Sequence, residues 1–243
     1  EALAPEFDAW SAFHALKTSA VRTDATRGTT AIRYPLSNLA DAKSAYGAIV
    51  YSKGPAVLRQ AEFYLGEAVF QKAVRDFVQR HAYGAAGWQD LVKAFERASG
   101  KKLDRWAQAW VQRRGMPTVR VVDGKLEQTD ALGEGGLWPM KLRVTDGKSL
   151  NEDVFLSQRQ KKLNRNFNTF VFPNAGDFGY GRFLLDAQSM RTALDTPFEA
   201  GGTLLQAATA AERMIAGMSG FMPGIIGRPA LKREHLGVLH DQA

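Results

Sequence analysis

Two textures of hydrophobic and polar positions divide the chain. From Glu67 to His81, the residues Phe70, Ala73, Val74, Phe77, Val78 and His81 recur at steps of three and four, the stripe of an amphipathic helix. Trp88, Leu91, Val92, Phe95 and Ala98 repeat the pattern and stop at Gly100, a residue suited to closing a helix. Leu103, Trp106, Ala107, Trp110 and Val111 repeat it again and stop near Gly115. Upstream, GPAVLRQAEFYLG opens with Pro55, fit for a first helical turn, and ends at Gly66. The linkers HAYGAAG and SGKK are short, which predicts antiparallel neighbouring helices. Tryptophans on these stripes give this half a core.

After Met116-Pro117 the period shortens to two. TVRVV (118–122) alternates and DGK follows as a turn. LWPMKLRVT (137–145), EDVFLS (152–157), NTFVFP (168–173) and GRFLLDA (181–187) read as further strands. The pattern therefore predicts helices over 1–116, a small antiparallel β domain over 117–195, and a tail over 196–243. Within the tail, GGTLLQAATAAERMIAGMSG (201–220) has helical character, and the Gly/Pro-rich remainder has none that can be read.

Composition adds constraints. The 243 residues contain no cysteine, so disulfides and cysteine-ligated metal are excluded. No apolar run approaches the roughly 20 residues of a membrane-spanning helix. The net charge is +7, but its basic residues are scattered. Clusters such as QRQKK (158–162) read as solvated surface, so no nucleic-acid partner is expected. EALAPEFDAW has neither the pattern of a signal peptide nor an initiator Met. The expectation is a chain that starts inside a longer protein or after processing.

Candidate chemistry is sparse. The four histidines, His14, His81, His235 and His240, include no pair at the spacing that sets two imidazoles on one helical face for zinc. His81 sits on an apolar stripe and reads as a core histidine. There is no G-x-S-x-G and no phosphate-cradling glycine loop; GEGG (133–136) and the GYG at 179–181 read as turns. What remains is Tyr51, placed where an apolar run meets a helix start. A phenol is a neutral donor at pH 7, so in a cleft it can donate to a forming oxyanion. The alternative is a core aromatic with a satisfied hydroxyl. Lys53 is a candidate helper cation for substrate in the same cleft, with a structural charge paired to a neighbouring carboxylate as its alternative.

The segment from Ile49 to Val121 resembles the gluzincin aminopeptidases of peptidase family M1. The shared pattern is carried by Tyr51, Lys53-Gly54, Leu65-Gly66 with Phe70, Asp90-Leu91, Trp110 and Gly115-Met116-Pro117. A looser likeness continues through FVFPNAGDFGYGRFLLD (170–186). The resemblance implies an α+β fold: the helical second half of a thermolysin-like catalytic domain, a small antiparallel β-sandwich and a short helical tail. It implies part of a zinc metallo-aminopeptidase that removes N-terminal residues from peptides, with Tyr51 stabilising the tetrahedral intermediate. The family's HExxH helix, third glutamate ligand and exopeptidase loop have no counterpart here. Zinc ligands are thus expected upstream rather than in this chain, and the chain alone is expected to be inactive. Its implied partners are a peptide substrate and the missing N-terminal half of the catalytic domain. The competing reading is a non-catalytic adaptor of the same fold that docks a partner protein.

Overall fold

A computed structural model describes residues 9–35, 38 and 47–195. Helix α1 spans Ala9–Asp24. A widened helical turn over Ile49–Lys53 then leads without a break into α2, Gly54–Leu65, with Pro55 in its first turn. Gly66, at φ 90°, bends the chain into α3, Glu67–Arg80. Helix α4, Trp88–Ser99, begins where the Asp90 carboxylate accepts the Gly87 N–H at 3.0 Å, and ends at left-handed Gly100. The short helix α5, Asp104–Ala107, runs into a second widened turn over Gln108–Gln112.

The helices expected between Pro55 and Gly115 are present, but the α3 stripe is shallower than its periodicity implies. Only Ala73 of α3 is fully buried, and Val78 is exposed. Helix α3 leans chiefly on α4, where Phe70 stacks on Phe95 and Arg97 meets Asp76 at 2.9 Å. His81 lies half-buried just beyond α3, with its ring 5.2 Å from that of Phe77.

Among the described residues the second half contains six strands: β1 (Pro117–Val122), β2 (Lys125–Asp130), β3 (Met140–Thr145), β4 (Asn151–Leu156), β5 (Gln160–Lys162) and β6 (Arg182–Leu184). One sheet has the order β5-β2-β1-β6, and β3 pairs with β4 in a second. Pairing is antiparallel except between β1 and β6, which run parallel with Thr118 opposite Arg182. The expected antiparallel β domain therefore contains one parallel pair. A long excursion through the second sheet returns the chain to the β1 edge in the same direction, as a crossover requires. NTFVFP forms no strand; Phe172 alone bridges Thr145 there. Instead, β2 completes the hairpin after DGK, and the QKK of the basic cluster becomes β5. A further helix, α6, spans Ala187–Asp195. The tail expected over 196–243, with its helix at 201–220, lies outside the described residues, as do His235 and His240.

One apolar core runs through both textures, from Ala20 and Val57 through Trp106 and Trp110 to Trp138, Leu142 and Phe183. Trp110 joins the halves: its indole N–H donates to the Pro139 carbonyl at 2.7 Å, and its ring meets Trp138 and Tyr180. On the outside, the Phe63 and Phe178 rings stack at 4.1 Å, and the Arg59 guanidinium lies between Phe178 and Trp10. No described helix is long and apolar enough to cross a membrane.

Candidate functional site

Tyr51 occupies the middle of the widened turn. The Gly54 N–H reaches back to the Ile49 carbonyl, five residues away, rather than the usual four. Gly54 keeps helical angles (φ −53°, ψ −57°), so the turn feeds α2 with no kink. Consecutive helical residues point in directions about 100° apart, so this turn faces two ways. Ile49, Ser52 and Lys53 point inward and are buried. Tyr51 points outward and is 62% exposed.

Lys53 is fully buried. Its ammonium lies 2.8 Å from the Asp24 carboxylate and donates to the Gly115 carbonyl at 2.7 Å. Asp24, at the end of α1, is fully buried as well. Its Oδ1 accepts from the Thr29 hydroxyl at 2.6 Å and the Gly115 N–H at 3.2 Å, and its Oδ2 also accepts from the Tyr180 hydroxyl at 3.1 Å. The Tyr180 backbone N–H donates in turn to Gln60 of α2. A buried carboxylate with four donors meets the condition under which such a charge is tolerated. Burial pushes the Lys53 ammonium below its ordinary value, opposed by the charge and hydrogen bond of Asp24. Burial, reinforced by the Asp24 charge, holds the Tyr180 phenol far above its usual range, so it stays a donor.

A second polar cluster lies on the same face of α1. His14 Nδ1 is 3.0 Å from the Asp177 carboxylate. The Lys17 ammonium meets the same carboxylate at 2.8 Å and donates to the carbonyls of Asp177 and Gly179. Positions 14, 17, 21 and 24 follow helical spacing, so one face of α1 binds the 174–180 loop at one end and Lys53 at the other.

The two sequence-level candidates therefore part company. Tyr51 is presented to solvent. Lys53 is enclosed two residues away, with the ammonium held by Asp24 and Gly115. Sequence reading missed Asp24, Thr29, Tyr180 and Asp177. The available signal was a carboxylate at position 24, in helical register with Ala20 and Val21, on a face otherwise turned to the core. A cavity of about 420 Å³ is bounded by Val121, Asp123, Arg165, Phe167 and Asp186 among others, and no residue of the Tyr51 turn lines it. Among the described residues, no group of three His, Cys, Asp or Glu could hold a metal ion. The described residues do not fit a zinc site.

Comparison with known proteins bears on this geometry. Residues 1–110 match the family described as the peptidase family M1 domain. The chain is 33% identical over 164 residues to "Aminopeptidase M1" of Arabidopsis thaliana, covering 64% of this chain and 19% of that protein. It is 37% identical over 112 residues to "Aminopeptidase N" of Streptomyces lividans, covering 46% of this chain and 13% of the relative. It is 30% identical over 209 residues to "Tricorn protease-interacting factor F2" of Thermoplasma volcanium, covering 81% and 25% respectively. The chain thus spans a quarter or less of the length of these relatives. The turn bearing Tyr51 and its anchor Asp24 both fall inside the matched segment, and through residues 1–110 the chain belongs to peptidase family M1.

Proposed function

We propose that this chain contributes the Tyr51 side of the active site of an aminopeptidase that releases N-terminal residues from peptides. The observation that carries the reading is the presentation of Tyr51: an exposed phenol on a turn whose next two residues are buried. The names of the aminopeptidase relatives support the reaction class. Attack on a peptide carbonyl places negative charge on its oxygen. A neutral hydroxyl donor aimed at that oxygen gains strength as the charge develops, so it favours the transition state over bound substrate. The described residues supply no ligand set for a metal, so any zinc would take its ligands outside them. The residues up to 116 would form the helical part of the catalytic domain and those from 117 a supporting β domain.

The test joins this chain behind the preceding part of the Streptomyces lividans aminopeptidase N and follows release of an amino acid from an aminoacyl anilide. Replacing Tyr51→Phe should lower kcat by about 10²–10³-fold, the usual cost of one oxyanion donor, with metal content unchanged. Turnover equal to that of the parent chimaera would remove the assignment and favour a docking role for the same surface.

A further inference from the structure

We propose that the buried pair Asp24 and Lys53, closed by Tyr180 and the Gly115 backbone, is a positioning device for Tyr51, fixing the widened turn so that the phenol points in one direction. The inference rests on the reading of Tyr51 as an oxyanion donor. It concerns the residues that aim that donor.

The geometry carries the argument in three steps. First, Tyr51 stands on this turn and points outward from it, so rotating the turn rotates the phenol. Second, that backbone is a widened turn, a rare form that occurs mostly as single turns within helices. Third, of the buried side chains of the turn, Lys53 carries a charge that ties it to remote parts of the chain. Lys53 reaches α1 through Asp24 and the entrance to β1 through the Gly115 carbonyl. Gly115 also donates to Asp24, and Tyr180 adds a hydroxyl from the β6 side. Three parts of the chain, remote in sequence, therefore converge on a point two residues from Tyr51.

Burying an ammonium and a carboxylate is a costly way to fill space, and an apolar pair would serve stability as well. What an ion pair adds is direction. A lysine with two acceptors at 2.7 and 2.8 Å fixes its own rotamer and the rotation of the turn about the helix axis. Reactions of this kind are sensitive to misplacements of about 1 Å, which can lower the rate on the order of 10²-fold.

The experiment uses the 243-residue chain with 3-fluorotyrosine at position 51, or at Tyr83 as an exposed control, read by fluorine NMR. The variants are Lys53→Met and the doubly neutral Asp24→Asn with Lys53→Met, which leaves no unpaired buried charge. The expected result is a dispersed resonance at position 51 in the parent that moves to the free-tyrosine shift in the folded double variant, while that of Tyr83 stays put. A position-51 resonance unchanged in the folded double variant overturns the proposal. So does loss of cooperative unfolding in the double variant, because the pair would then be holding the fold rather than the turn. In the chimaera described above, Lys53→Met should lower kcat on the order of 10²-fold with Tyr51 present and have little effect in the Tyr51→Phe background, with KM unchanged in both. Equal losses in the two backgrounds overturn the inference. If Tyr51→Phe itself leaves kcat unchanged, the catalytic reading fails, and the fluorine result still decides whether the pair aims the phenol.

Discussion

The Lys53 ammonium and the Asp24 carboxylate meet at 2.8 Å with neither side chain reaching solvent, joining the turn of Tyr51 to the end of α1. Removing one partner leaves the other buried and charged. Lys53→Ala should therefore cost about 3–5 kcal/mol in denaturant unfolding, far more than an exposed pair is worth. The double neutral variant should recover most of that loss. A single variant within about 1 kcal/mol of the parent would show that water already reaches the pair.

Tyr180 gives the same network an alkaline signature. Its phenol is raised in the folded state, chiefly by burial, above the ordinary value near 10. A raised group keeps its contribution below the unfolded value and loses it as pH climbs toward the folded value. Above pH 10 the unfolded chain sheds the proton while the folded chain retains it, so stability falls by about 1.4 kcal/mol per pH unit. Lys53, lowered by burial, acts with the opposite sign: between its lowered value and 10.5, the unfolded chain binds more protons and stability rises with pH. Tyr180→Phe should cost about 1.5–3 kcal/mol at pH 7 through the lost bond to Asp24, and its stability should fall less steeply above pH 10. Parallel alkaline limbs in parent and variant would contradict this account.

These relationships also mark what the sequence can and cannot disclose. The stripes of α3, α4 and α5 were legible because apolar residues at steps of three and four leave few alternatives. Gly100 announced its own turn. The strand β5 was hidden because Gln160, Lys161 and Lys162 are all exposed and carry no alternation. NTFVFP looked like a strand because its aromatic residues are buried, but burial there comes from the core and from α6, where the Ser189 hydroxyl accepts the Val171 N–H. Tyr51 could be picked out as a phenol in an odd place. Asp24 and Tyr180 could not, because Lys53 meets residues 29 positions before it and 127 after it only once the fold is formed.

Acid should weaken the join between α3 and α4. Asp76 accepts from Arg97 and Arg80, and those bonds lower its carboxyl below the usual range. A lowered carboxyl contributes stability above its unfolded value near 4 and loses it as pH falls through the folded value. Asp76→Asn should thus differ from the parent at pH 7, and the difference should shrink as pH falls below about 4. Thermal unfolding of both proteins across that range is the measurement. The groups are solvent-exposed, so added salt should shrink the effect. A difference that persists undiminished at pH 3 would mean that the carboxylate charge is not its source.

The parallel join of β1 and β6 depends on Gly181. Its φ of 149° is one that side-chain-bearing residues rarely adopt, and a Cβ there would lie 2.7 Å from the Pro117 carbonyl oxygen. That oxygen belongs to the backbone of the first residue of β1, so it cannot swing aside as a flexible side chain would. Gly181→Ala must push β6 away from β1 just before the Thr118–Arg182 register begins. The expected cost is about 1–3 kcal/mol, with faster hydrogen exchange at the amides of β6. Tyr180 is the preceding residue, so the displacement should also lengthen its bond to Asp24 and reduce the contrast between parent and Tyr180→Phe in this background. Strict additivity of the two substitutions would show that the β1–β6 join and the Asp24 network are independent, and that Gly181 serves the sheet alone.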